Sequence, residues 1–100
     1  MIALMMLVAA ANADNARAQL FGSANYSCST AWSFGHQHAS SEWVMGFWSG
    51  MNMATPGQNV GAIEGEAIVA AVRRFCKAVP LMPLGSAAFE TYRAMQAQRP

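Results

Sequence analysis

One hundred residues make one domain at most. The composition, 54% hydrophobic and 10% aromatic with only 11% charged, supplies a buried core and excludes an intrinsically disordered chain. Six Lys plus Arg against five Asp plus Glu leave a net charge of +1 with no basic stripe, which argues against nucleic acid as a partner.

From Met1 to Ala11 the chain reads MIALMMLVAAA, an uncharged apolar run with the length and character of a signal-peptide core, although no Lys or Arg precedes it. A bilayer span takes about twenty apolar residues, so this run is too short to serve as one. Small-x-small sites follow at Ala11-Asn12-Ala13 and Ala16-Arg17-Ala18. The expectation is a signal peptide over 1–18 and a single helical domain over 19–100, periplasmic or secreted, with no membrane insertion after cleavage. Cleavage after Ala18 also removes Asp14, the one Asp in the sequence.

Between Gln19 and Ser40 the chain is rich in Ser, Gly, Asn and His and shows no clean period, which predicts an irregular arm with a single helical turn after Cys28. Ser40 and Ser41 then precede Glu42, a cap pattern that predicts a helix running through Trp43 to Asn52. Gly46 and Gly50 share one face of it, and each costs about 1 kcal/mol in a helix interior unless close packing offsets the loss. The same spacing is a dimer face in membrane helices, but the apolar run here is short and interrupted by Ser49, so close packing inside the domain is the expected use of that face.

Thr55-Pro56-Gly57-Gln58-Asn59 breaks the chain, and a second helix is expected from Val60 or Ile63 to Ala78. Ile68, Ala71, Val72, Phe75 and Cys76 fall on one apolar stripe, which turns Cys76 inward. Glu64 and Glu66 near its start and Arg73, Arg74 and Lys77 near its end match the helix dipole. Pro80 and Pro83 stop that helix and open a third, reaching about Gln98, with Leu84, Ala88, Tyr92 and Met95 inward. The fold class is therefore all-α: a compact bundle of three to four short helices.

The two cysteines, Cys28 and Cys76, are free thiols, metal ligands or a disulfide according to compartment. Export favours the disulfide, which would tie the arm to the inner face of the second helix. In the chain-entropy account closing so long a loop is worth about 4 kcal/mol.

Catalytic patterns are missing. No GxSxG elbow occurs, and Glu42, Glu64, Glu66 and Glu90 are the whole acid inventory of the mature chain. Glu64 and Glu66 are two apart on a helix and do not face each other across a cleft. The chain is expected to be no enzyme and to need no cofactor. His36 and His38 offer two imidazoles, short of the three or four ligands a metal site needs, and read as loop side chains. The densest aromatic cluster is Trp43, Phe47 and Trp48. Trp43 and Phe47 suit a core, whereas Trp48 turns to a different side; packing in the core is its first expected use, and an adaptable apolar patch with Met45, Met51 and Met53 is the other. Trp48, Met45, Met51 and Arg74 are the residues expected to meet a protein partner.

Tyr26-Ser27-Cys28, the helix Trp43-Val44-Met45-Gly46-Phe47-Trp48-Ser49-Gly50-Met51-Asn52 and the turn Phe75-Cys76-Lys77-Ala78-Val79-Pro80 resemble small secreted proteobacterial proteins of the HdeA-like kind. The resemblance runs from about Tyr26 to Met95. It implies a compact helical fold with one disulfide, periplasmic residence and, for the founding members, acid-triggered chaperone action that shields unfolded clients. A second resemblance is to periplasmic immunity proteins that plug the active site of cell-wall amidase toxins. Either way, the partners implied are other proteins: clients, a dedicated target or a second copy.

Overall fold

The structure, a computed structural model, describes residues 19–57 and 63–98. The expected signal peptide over 1–18 and the earlier of the two expected helix starts, at Val60, lie outside the described residues. Among the described residues four α-helices follow one another: α1 (Cys28–Ala31), α2 (Gln37–Ala54), α3 (Gly65–Ala78) and α4 (Leu84–Gln98). A short 3₁₀ turn, Gly22–Asn25, precedes them. The described residues contain no strand, only one isolated antiparallel bridge between Ser27 and Pro83. The all-α fold read from the sequence is thus the observed one.

The irregular arm is shaped by local hydrogen bonding. Ser27 caps α1 by accepting from the Thr30 amide at 3.3 Å, and one turn later the helix ends at Ala31. The chain then reverses through Gly35, whose φ of +91° is open to glycine and costly for other residues. α2 starts at Gln37, earlier than the serine pair suggested. The reason is that Ser40 is not a cap. It is fully buried in the first turn, and its hydroxyl donates to the Ala31 carbonyl at 2.7 Å, locking α1 against α2. α2 runs past Asn52 to Ala54 before Thr55-Pro56-Gly57 ends it.

The amphipathic α3 buries Ile68, Val72 and Cys76, spaced four apart, and keeps Ala71 and Phe75 half-buried beside them. Glu64 stands at its N-cap, Glu66 in its first turn and Lys77 in its last, as the dipole favours. Pro83 precedes α4, which buries Leu84, Ala88 and Tyr92 and half-buries Met95.

Two devices join the arm to this bundle. The disulfide Cys28–Cys76 forms across a separation of 48 residues, with the Cα atoms 5.2 Å apart, and both cysteines are buried. Around it the backbone of the α3–α4 turn pairs with the arm. Cys28 N donates to Met82 O at 2.8 Å, Ser29 N to Pro80 O at 3.0 Å, and Leu84 N to Tyr26 O at 2.8 Å. The core then comprises Ala31, Val44, Trp48, Ile68, Val72, Leu84, Ala87, Ala88 and Tyr92 packed around the half-cystines.

Close packing at glycine occurs, but at Gly65 and Gly85 and not where the helical spacing pointed. A Cβ built on Gly85 would lie 2.7 Å from Leu20 Cδ2 and 3.2 Å from Ala24 Cβ, so this glycine lets the arm lie directly on α4. A Cβ on Gly46 or Gly50 meets nothing within 4 Å, and both glycines are exposed. The close backbone neighbour expected at that face is not supplied by the described residues.

Candidate functional site

The four residues expected at a protein interface do not share one surface. Trp48 corrects the expectation outright: it is 2% exposed, at the centre of the core, edge-to-face with Tyr92 at 4.9 Å. Trp43 and Phe47, expected in the core, are half-buried, pack against it from its edge and stack on each other at 5.3 Å. The inward line of α2 is Ser40, Val44 and Trp48, spaced four apart. Met51 is half-buried and packs against the core. Met45 is half-buried between α2 and α3, while Arg74 is exposed in the groove between α3 and α4.

The titratable side chains are scattered. Glu42, Glu64, Glu66 and Glu90 are all exposed. His38 is exposed in the first turn of α2, and half-buried His36 packs edge-to-face on the Tyr26 ring at 4.9 Å. Among the described residues no three His, Cys, Asp or Glu side chains come together as a metal site would require. His36 and His38 therefore find no third ligand among them.

Two other features emerge. The first is a set of large apolar side chains held outside the core. Phe34 is 97% exposed, Leu81 86%, Met53 84% and Phe21 73%. Phe34 sits in the turn between α1 and α2, and Leu81 in the turn between α3 and α4. Both turns are tied at their base by the backbone and disulfide contacts around Cys28, so these side chains are presented on anchored segments.

The second feature is a groove along α3. Its upper part, about 320 Å³, lies between α2 and α3 and is lined by Met45, Val69 and Ala70, with Glu66 at one end and Arg73 at the other. The Met45 sulfur rests 2.8 Å from where a Cβ on Gly65 would be, so Gly65 makes the seat for that side chain. A further part, about 220 Å³, continues from Arg73 past Trp32 and Ser29 to Lys77 and Pro80, with the disulfide at its floor. The Arg73 guanidinium lies over the Trp32 ring, 5.1 Å from its centroid. Beneath it the Trp32 Nε1 donor is buried with no hydrogen-bond partner among the described residues. Sequence reasoning put Trp32 in an unordered arm and treated Arg73 and Lys77 as dipole-matched surface. The pairing of an indole near Cys28 with a cation near Cys76 was the available clue, once the disulfide joined the two segments.

No described helix is long and apolar enough to cross a membrane. Compared with family models, with curated proteins and with solved structures, the chain finds no match.

Proposed function

We propose that this chain is a small exported protein, HdeA-like, which binds and shields other proteins in the bacterial periplasm without catalysis and without a cofactor. The observation that carries the reading is the display of Phe34, Leu81, Met53 and Phe21, each at least 73% exposed, outside a core centred on Trp48 and Tyr92. On this reading these exposed apolar side chains are the contact surface for a protein partner. The disulfide supports an oxidising compartment, as does the apolar run at Met1–Ala11. The scatter of exposed glutamates supports binding over acid–base chemistry.

The display is constitutive on this reading. No side-chain hydrogen bond or ion pair links Glu42, Glu64, Glu66 or Glu90 to another described residue, so acid breaks no such contact. Light scattering from one client that aggregates on heating at neutral pH and another that aggregates on acidification, each with stoichiometric oxidised protein beginning at Gln19, tests this. Suppression of aggregation is expected at both neutral and low pH. Suppression at low pH alone would contradict constitutive display. Suppression at neither pH would overturn client shielding and direct the search to one dedicated partner, as for an immunity protein.

A further inference from the structure

We propose that the groove along α3 recognises an acidic segment of the bound protein, extended and bearing an apolar side chain beside its carboxylates. This rests on the protein-binding reading above and specifies what the partner presents. The groove is chemically two-ended. Met45, Val69 and Ala70 make one part apolar, and Arg73 and Lys77 make the other cationic. Arg73 lines both parts, so one cation serves both. Neither cation forms an ion pair with a described carboxylate. The cationic part is also lined by Ser29 and by Trp32, whose ring lies under the Arg73 guanidinium. Two exposed cations therefore set the chemistry there, and the group that complements them is an acceptor with negative charge, a carboxylate.

Spacing and polarity refine the occupant. Along α3, Val69 and Arg73 are separated by about 6 Å and Arg73 and Lys77 by about the same, at a rise of about 1.5 Å per residue. An extended chain advances about 3.3 Å per residue, so an apolar side chain over Val69 is followed about two residues later by a carboxylate at Arg73, and about two later by a second at Lys77. Glu66 at the opposite end repels an acid there and fixes the direction in which the segment lies. The half-buried Met45, seated on Gly65, adapts its thioether to different apolar side chains.

The test uses oxidised protein purified from the periplasm of an expressing bacterium and labelled with ¹⁵N. The probe is a synthetic peptide containing Leu-Ser-Glu-Ser-Glu, with one copy carrying Gln for each Glu and another carrying Lys. Amide shifts are expected on the groove side of α3 and at Ser41 to Met45, with the Gln peptide roughly tenfold weaker than the Glu peptide and the Lys peptide not binding. Arg73→Glu with Lys77→Glu should abolish binding of the Glu peptide, Arg73→Lys with Lys77→Arg should retain it, and Arg93→Glu on α4 should leave it unchanged. Equal binding of all three peptides, or shifts confined to other elements, would overturn the proposal. Should the charge-reversed variant lose its helical circular dichroism, the peptide series on the unsubstituted protein still decides. Client shielding without selectivity for the Glu peptide would remove the groove and leave the functional reading. Selective peptide binding without client shielding would do the reverse.

Discussion

Tyr92 shows how much one side chain does in a core this small. Its ring packs edge-to-face on Trp48, and its hydroxyl donates to Asn52 Oδ1 at 2.9 Å and lies 3.2 Å from Thr55 Oγ1, tying α4 to the end of α2. Tyr92→Phe keeps the ring and strands the Asn52 acceptor, so it should cost about 1–2 kcal/mol, seen as a lower urea midpoint with unchanged slope. Trp48→Ala should cost about 3–5 kcal/mol, enough to unfold a marginal domain, whereas half-buried Trp43→Ala should leave a folded protein by circular dichroism. The opposite ranking would restore a surface role for Trp48. That role was misassigned because Trp43, Val44, Met45, Phe47 and Trp48 are apolar almost all the way round α2. A stripe set by Trp43 and Phe47 and one set by Val44 and Trp48 differ by about 100° of helix rotation, and nothing local chooses between them.

At the scale of elements, the legible helices were those with one apolar stripe. In α3 the run Ile68, Val72 and Cys76 stands opposite charge, and the observed helix buries those three residues. The start of α2 was less legible, because a serine that caps a helix and one that bonds a neighbouring carbonyl look alike in sequence. The glycines divide similarly. Gly46→Ala and Gly50→Ala should each stabilise the protein by about 0.5–1 kcal/mol in thermal melts, since the new methyl meets open space on an exposed helix face. Destabilisation there, with a change in molar mass by light scattering, would reveal a second copy on that face. Gly85→Ala should do the reverse. It forces Leu20 and Ala24 off α4 and should cost about 1–3 kcal/mol, with the loss concentrated in amide protection of the arm. Which glycine is in contact depends on where the arm returns, and that is set by a pairing distant in sequence.

The whole molecule depends on the single covalent tie between the arm and α3. The 48-residue separation gives the disulfide an entropic worth of about 4 kcal/mol, comparable to the net stability of a small domain. Reductant should therefore abolish cooperative thermal unfolding and most of the helical circular dichroism, while a protein that melts unchanged in reductant would show the core sufficient by itself. The same tie anchors the turns that carry Phe34 and Leu81, which links stability to the proposed shielding of other proteins. The most direct test of that link is client light scattering with the unsubstituted oxidised protein beside the variant Phe34→Ser with Leu81→Ser. Both side chains lie outside the core, so the variant should keep its melting temperature and lose most of its suppression of aggregation. Undiminished suppression by a variant that melts normally would contradict the claim that these displayed side chains are what binds.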